Sequence, residues 1–115
     1  MSAHPPAVTS KRSRDQSAAD DLTTAELFEL FGDEYTRRVY EAVTERPRGG
    51  RAVAEAADVS RPTAYRRLNE LRDAGLVRSE MEIRTDGHHR EQFEAVATSV
   101  SVPLGGMDAP VDVVD

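Results

Sequence analysis

The sequence predicts a small α+β domain, mainly α-helical, with a β-hairpin after its last helix. Its 115 residues suffice for one domain plus tails. Between residues 22 and 75 the apolar residues recur at helical spacing, in four segments separated by capping and helix-breaking residues. After Gly75 they alternate with polar residues, which is the spacing of a half-buried strand. The predicted order is therefore four helices followed by a two-stranded hairpin.

The first two predicted helices are marked by the residues that begin and end them. Thr23 and Glu26 have the spacing of a capping box, in which the hydroxyl and the carboxylate satisfy free N–H groups at a helix start. Gly32 is expected to end this helix in a left-handed conformation, and Asp33 is expected to cap the second helix. The apolar face of the second helix is predicted to consist of Tyr35, Val39, Ala42 and Val43.

The third predicted helix, over residues 51–57, is short and rich in alanine. Val53, Ala56 and Ala57 are expected to face inward, because small side chains there allow the next helix to approach closely. Asp58 then begins the turn into the fourth helix. The sequence therefore predicts two short helices joined by a tight turn.

The fourth predicted helix, over residues 61–73, has two chemically different faces. Ser60 is expected to cap it, and a proline in its first turn is tolerated because the missing N–H would be unpaired anyway. On a helical wheel of about 100° per residue, an apolar stripe is formed by Ala64, Leu68 and Leu71. The opposite face carries Pro62, Arg66 and Asn69, flanked by Thr63 and Tyr65.

A β-hairpin is predicted over residues 77–97. Asp86-Gly87 is a hairpin turn signal, and it lies between two segments in which apolar and polar residues alternate. The alternating apolar residues are Val77, Met81 and Ile83 on the first strand and Phe93, Ala95 and Ala97 on the second.

The two ends of the chain flank a domain predicted over residues 22–98. Residues 1–21 are rich in Ser, Ala, Pro and charge without periodicity, which predicts a disordered N-terminal tail. For residues 99–115 two alternatives stay open. Alternating valines on either side of Gly105-Gly106 favour a second hairpin, and an unstructured tail is the other interpretation.

Charge is distributed unevenly along the chain. The formal net charge is −6, yet residues 46–72 carry seven arginines against three acidic residues, a local net charge of +4. The chain has fourteen arginines and one lysine, and this acidic, lysine-poor composition resembles that of proteins from halophilic archaea. At molar ionic strength the Debye length is about 3 Å, so only charged groups in close contact with a nucleic acid would contribute to binding.

The polar face of the fourth helix suits base edges in DNA. The planar fork of Arg66 matches the N7 and O6 atoms of guanine, and Asn69 can pair in a similar way with adenine. The ring of Pro62 can contact a thymine methyl group. The alternative is that Arg66 pairs with Glu70 or Asp73 within the helix, which would neutralise part of the positive charge of this face.

Two stretches and the hairpin that follows them resemble a winged helix-turn-helix domain over about residues 24–98. The stretches are LFELFGDEYTRRVYEAV and RAVAEAADVSRPTAYRRLNELRDAGLV. They are most similar to ArsR-like regulators, particularly short forms from halophilic archaea. In that family the helix at 61–73 enters the major groove, the helix at 51–57 braces it, and the hairpin contacts the adjacent minor groove or backbone.

The resemblance implies a set of residues that contact double-stranded DNA. On the fourth helix and its bracing helix these are Arg51, Arg61, Pro62, Thr63, Tyr65, Arg66 and Asn69. On the hairpin, which would form the wing, they are Arg84, His88, His89 and Arg90. The function that follows is a sequence-specific transcription regulator, expected to act as a homodimer on a pseudo-palindromic operator.

The sequence departs from the family in two respects. Metal-sensing ArsR-like proteins use cysteine ligands, and this chain has no cysteine. The long C-terminal dimerisation helix common in the family is interrupted here by Pro103, Gly105 and Gly106. Metal sensing and the usual dimer interface are therefore not expected.

Other functions find little support in the sequence. It has no glycine-rich phosphate loop, no G-x-S-x-G motif and no cysteine nucleophile, so no enzyme and no cofactor are predicted. His88 and His89 would point to opposite faces of a strand, which disfavours a metal site. No apolar segment approaches the roughly 20 residues that span a bilayer, so a cytoplasmic protein is expected. The alternative function is a winged-helix protein–protein interaction module without DNA binding, which the acidic total and Tyr65 favour.

Overall fold

The computed structural model describes residues 21–114 and contains four helices and five short strands over that range. The helices are α1 (Thr24–Phe31), α2 (Glu34–Glu45), α3 (Gly50–Ala57) and α4 (Arg61–Asp73). The strands are β1 (Arg48–Gly49), β2 (Val77–Glu82), β3 (Arg90–Ala95), β4 (Ser99–Ser101) and β5 (Asp112–Val114). This is the predicted α+β winged helix-turn-helix architecture. The tail predicted to be disordered lies, except for Asp21, outside the described residues.

The predicted caps of α1 and α2 are confirmed. The backbone N–H of Glu26 donates to the Thr23 hydroxyl (3.1 Å), and that of Thr23 donates to the Glu26 carboxylate (2.9 Å). The prediction for Gly32 is wrong, because its backbone is right-handed (φ −69°, ψ −18°). Its N–H donates to the carbonyl of Phe28 at 2.8 Å, which continues the helical turn. A Cβ there would lie 2.9 Å from that carbonyl oxygen, so crowding explains the glycine.

The buried face of α2 differs from the prediction at its first turn. Tyr35 is 46% exposed, and Thr36 is buried in its place. Thr36 can be buried because both its N–H (2.9 Å) and its hydroxyl (3.0 Å) donate to Asp33 Oδ2. The Tyr35 ring remains at the surface beneath the guanidinium of Arg38, 5.6 Å from the ring centroid.

The buried stripe of α3 also differs from the prediction by one residue. Ala54 is buried and Ala56 is exposed. The reason is that α3 begins at Gly50, and a stripe of Gly50, Val53, Ala54 and Ala57 has the helical spacing i, i+3, i+4, i+7.

The turn between α3 and α4 fixes the angle between them. Asp58 ends α3 in a left-handed conformation (φ 57°, ψ 52°), and the N–H of Val59 donates back to the Ala54 carbonyl at 3.0 Å. Ser60 then caps α4 as predicted, accepting from the N–H of Thr63 at 3.2 Å. The predicted stripe of α4 is confirmed, since Ala64, Leu68 and Leu71 have no exposed surface.

The hairpin belongs to a three-stranded antiparallel sheet in the order β1-β3-β2. Phe93 is the central residue, paired with Arg48 on one side and Ser79 on the other. Strand β1 was not predicted because two residues are too few to show alternation. Met81 and Ile83 do not continue the buried face that begins at Val77. They are 56% and 74% exposed.

The segment after β3 returns to the start of α1. Strands β4 and β5 form an antiparallel pair, so of the two alternatives left open for this segment the structure has the hairpin. The backbone N–H of Val111, which is buried, donates to the Leu22 carbonyl at 2.8 Å. The carbonyls of Met107 and Ala109 accept hydrogen bonds from the first turn of α1. Within residues 21–114, no helix is long and apolar enough to cross a membrane.

Stability should depend on the charge of Asp33 at the start of α2. The pKa of Asp33 lies below its usual 3.8, chiefly because the backbone N–H of Thr36 donates to the carboxylate, with Arg67 contributing. A carboxyl whose pKa is lowered by folding stabilises the protein above its unfolded pKa, and the benefit is lost as pH falls through the folded pKa. Asp33→Asn should therefore lower the free energy of unfolding at pH 7, and the difference from wild type should disappear as pH falls below 3.8 and through the lowered folded pKa of Asp33.

Urea unfolding at a series of pH values measures this difference. Glu29→Gln, at an exposed carboxylate of α1, is the control for the loss of one negative charge. A difference between wild type and Asp33→Asn that is the same at pH 7 and at acid pH would contradict the prediction.

Candidate nucleic-acid interface

The polar face of α4 lies at the surface. Pro62, Arg66 and Asn69 are exposed on the side opposite the buried stripe, as is Arg61 at the helix start. Thr63 is half-buried because its hydroxyl contacts that of Ser60 (2.9 Å). The predicted major-groove residues of α4 therefore share one accessible face or its edges.

The arginines of α4 divide into two pairs with different surroundings. Arg67 is engaged, with its Nε 3.2 Å from Asp33 Oδ2 and its Nη1 donating to Glu70 at 3.0 Å. Arg61 and Arg66 have no hydrogen-bond or ion-pair partner among residues 21–114. The predicted alternative, pairing of Arg66 with Glu70, is therefore not found, because Glu70 pairs with Arg67.

Arg72 joins α4 to both strands of the wing. Its Nη1 donates to Ser79 Oγ on β2 (2.9 Å) and to Glu91 Oε2 on β3 (3.0 Å). Its Nη2 donates to Asn69 Oδ1 (2.8 Å), and the guanidinium lies 5.8 Å from the centroid of the Phe93 ring. These contacts fix the wing relative to α4 and orient the Asn69 side chain.

Tyr65 lies where α3, α4 and β3 meet. Its ring makes an edge-to-face contact with Phe93 (6.3 Å between centroids, 76°) and remains 43% exposed. The ring packs against the backbone of Gly50, where an added Cβ would lie 2.2–2.4 Å from Tyr65 atoms. Glycine at position 50 therefore allows the ring to occupy this place.

A groove of about 920 Å³ opens between the start of α3, β1 and the wing, and we call it the junction groove. Helix α3 begins on its rim. Its N-cap, Gly49, provides no side-chain cap and its first turn has no acidic residue, which leaves the positive end of the helix dipole uncompensated. The charged residues that line the groove are Arg46, Arg48, Arg51, Arg84 and Arg90 with Glu55, Glu82 and Glu91.

The junction groove collects five of the predicted contact residues. Arg51, Tyr65, Arg84, His89 and Arg90 all line it. The other predicted residues lie elsewhere, on α4 or in the wing loop: Arg61, Pro62, Thr63, Arg66, Asn69 and His88. The structure thus forms two adjoining surfaces, the outer face of α4 and the junction groove.

The wing loop is held by Asp86. Its Oδ1 accepts from the backbone N–H of His88 at 2.9 Å, and Gly87 takes the positive φ (85°) that the predicted turn requires. Arg84 lies 3.6 Å from Glu82 and 3.8 Å from Asp86. Among residues 21–114 no group of three or more His, Asp or Glu side chains is placed to hold a metal ion.

Sequence reasoning missed Arg46 and Gly50 as parts of this site. The only indication in the sequence that Arg46 could belong to the site is its position in the basic segment 46–72. That position does not predict where its side chain lies. Glycine is unfavourable inside a helix, so its type gave no signal that Gly50 is the first residue of α3. Both roles depend on the packing of β1 against β3, which periodicity does not reveal.

Comparison with known proteins finds one domain. Residues 31–80 match a family model described as a helix-turn-helix domain, so the chain contains such a domain. The match runs from the end of α1 through α4 and into β2. No curated protein is significantly similar in sequence to this chain.

Replacing Arg72 by methionine should loosen the wing. The change removes two hydrogen bonds that join α4 to β2 and β3, of which the one to Glu91 is also an ion pair, and a third that holds Asn69 within α4. We expect a loss of about 1–2 kcal/mol in the free energy of unfolding, discounted for partial solvent exposure. The matched control is Arg78→Met, which removes a single cross-strand pair with Glu94 (3.2 Å) and should cost less than about 1 kcal/mol. Equal losses in urea unfolding would show that Arg72 does not join the elements.

Gly50→Ala should destabilise the domain, although alanine normally favours a helix. The new Cβ would force the Tyr65 ring out of its place and break its edge-to-face contact with Phe93, at a cost of about 0.5–1.5 kcal/mol. In a Tyr65→Ala background the same change should be neutral or stabilising, which a double-mutant cycle measures. Gly49→Ala is the control, because its Cβ would meet its nearest neighbour, the Glu91 carbonyl, at an ordinary 3.5 Å. A stabilising Gly50→Ala in the wild-type background would contradict the expectation.

Proposed function

We propose that this chain is a sequence-specific, double-stranded DNA-binding transcription regulator. In this proposal α4 enters the major groove and the hairpin over residues 77–97 acts as the wing. The main observation in support of this proposal is that the four arginines of α4 differ in whether they are paired within the fold. Arg67 and Arg72 are engaged within the fold, whereas Arg61 and Arg66 are exposed without a partner among residues 21–114. The helix-turn-helix domain over residues 31–80 supports the same function.

The chemistry of the α4 face favours base reading over general attraction to DNA. Arg66 offers a bidentate donor for guanine, and Asn69 lies on the same exposed side. The hydrogen bond from Arg72 restricts the Asn69 side chain before DNA arrives, which reduces the entropy lost on binding. Arg61, at the helix start, is within reach of a backbone phosphate, which would position the helix without reading sequence.

The proposed active form is a cytoplasmic homodimer. One α4 reaches few bases, and a two-fold dimer places two such helices one helical turn apart on a pseudo-palindromic operator. We also place the chain among ArsR-like regulators of halophilic type, without metal sensing and without their long C-terminal helix. The strand pair β4–β5 occupies that part of the chain.

A second candidate function is a winged-helix module that binds a protein. Two exposed apolar side chains of the wing, Met81 and Ile83, favour it. The arginine-lined junction groove beside them favours DNA, because a groove for a protein helix would be mainly apolar. We therefore rank DNA binding first.

Arg66→Ala and Asn69→Ala should each weaken binding to the operator by about 1–3 kcal/mol and relax one base position. Selection from a random duplex library supplies the operator, and fluorescence anisotropy on operator and scrambled duplexes measures the affinities. Arg37→Ala, at an exposed arginine of α2, is the matched control for the loss of one positive charge.

The pattern of losses decides between base reading and general charge attraction. If Arg66→Ala weakens operator and scrambled duplexes equally, Arg66 contacts only the backbone and the proposed base reading is wrong. If the wild-type chain binds neither duplex and instead captures a protein through the wing, the second candidate function replaces the first.

A further inference from the structure

We infer that Arg72 sets the base preference of Asn69 by holding its amide in one orientation. In that orientation Asn69 reads a hydrogen-bond acceptor on a base edge, which guanine and thymine provide. The residue type alone suggests adenine, because a free asparagine amide can pair with adenine through both of its polar atoms. The inference rests on the proposed function, since it concerns the base that the same helix face reads. Arg72 acts here as a positioning residue.

The guanidinium of Arg72 is held by the two strands of the wing. Its Nη1 donates to Ser79 Oγ on β2 at 2.9 Å and to Glu91 Oε2 on β3 at 3.0 Å. It also lies over the ring of Phe93, 5.8 Å from the centroid. Because these partners belong to the sheet, a movement of the Asn69 side chain alone does not carry the guanidinium with it.

A further N–H group of Arg72 fixes the amide of Asn69. The Nη2 atom of Arg72 donates to Asn69 Oδ1 at 2.8 Å. If the amide turned over, its Nδ2 group would face the guanidinium, and two donor groups would oppose each other. The oxygen therefore faces Arg72. The Nδ2 group has no acceptor among residues 21–114, and Asn69 is exposed, so its N–H groups are left to donate to a ligand.

This orientation suits a base acceptor better than adenine. Pairing with adenine uses both atoms of the amide, because Oδ1 accepts from the N6 amino group while Nδ2 donates to N7. Arg72 already occupies one lone pair of Oδ1, and an amino group brought to the second would approach a positive charge. The O6 and N7 atoms of guanine and the O4 atom of thymine accept hydrogen bonds, and the same charge attracts them. Cytosine offers an amino donor at this edge and is disfavoured as adenine is.

The test begins with the operator position that Asn69 reads. It is the position whose base preference is lost in Asn69→Ala, in selections from a random duplex library. Wild type should select guanine or thymine there. Adenine or cytosine at that position would overturn the inference, and so would an Asn69→Ala variant that relaxes no position.

Base analogues at that position test the acceptor itself. For guanine, 7-deazaguanine and 2-aminopurine remove the N7 and the O6 acceptor in turn, and inosine, which keeps both, is the control. For thymine, 5-methylcytosine replaces the O4 acceptor by an amino donor, and uracil, which lacks the methyl group, is the control. Loss of the acceptor that Asn69 uses should weaken wild-type binding by about threefold to tenfold and leave Asn69→Ala unaffected. Wild-type affinity that no analogue changes would overturn the inference.

Arg72→Met separates positioning from stability. The freed Oδ1 of Asn69 could then pair with adenine, so the affinity for adenine relative to the wild-type base should rise at least about fivefold. A looser wing by itself weakens all sequences and does not change which base is preferred. Ser79→Ala is the control, because it removes one anchor of Arg72 and keeps the contact with Asn69, so the wild-type preference should remain. An unchanged preference in Arg72→Met would overturn the positioning role.

Asn69→Asp tests the inference without removing Arg72, and it decides the matter if Arg72→Met does not fold. The carboxylate can still accept from Arg72 and has no N–H to donate. Guanine and thymine should therefore lose their advantage over cytosine, whose amino group a carboxylate accepts. An Asn69→Asp variant that keeps the wild-type preference would overturn the inference. The proposed function stands in each case as long as Arg66→Ala weakens operator binding selectively, so the two failures are distinguishable.

Discussion

The complete burial of one stripe of α4 is the constraint on which the rest of the structure depends. Ala64, Leu68 and Leu71 have no exposed surface, so the rotation of the helix about its axis is fixed. Because a helix turns about 100° per residue, burying this stripe forces Pro62, Arg66 and Asn69 outward. The polar face of α4 is therefore exposed because the apolar face opposite it is buried.

The concentration of arginine within an acidic chain has two physical explanations that apply to different residues. Arg67 and Arg72 compensate carboxylates on neighbouring elements and contribute to the fold. Arg61 and Arg66 pair with no carboxylate within the described residues. Their positive charges therefore remain exposed at the surface of α4. A composition count cannot separate these roles, because they depend on which carboxylates the fold brings close.

Local patterns predicted the helices well because each cap and stripe involves residues within one or two turns. Ser60 as a cap and the stripe of α4 needed no knowledge of distant residues, and the exposed α4 face followed from them. Strand β1 and the Arg72 contacts could not be predicted, since both depend on the antiparallel register of β3. The junction groove escaped prediction for the same reason, although three of its lining residues, Arg84, His89 and Arg90, were predicted as wing contacts.

The exchange of Tyr35 for Thr36, and of Ala56 for Ala54, shows a different limit. In both helices a wheel based on hydrophobicity placed one member of the buried stripe wrongly and the other members correctly. A side-chain hydrogen bond to Asp33 makes burial of a threonine acceptable, and because α3 starts at Gly50, Ala54 at i+4 lies on its buried stripe. These local differences determine which of two nearby side chains is buried and which is exposed to a binding partner.

The hydrogen bonds from residues 107–111 to the start of α1 affect the order in which the chain can fold. Two backbone N–H groups in the first turn of α1 donate to the carbonyls of Met107 and Ala109, which lie more than 80 residues later in the sequence. Closing so long a loop is entropically costly and is deferred until nearby contacts have formed. We therefore expect the first turn of α1 to gain these hydrogen bonds only after the local contacts of the helix-turn-helix core have formed.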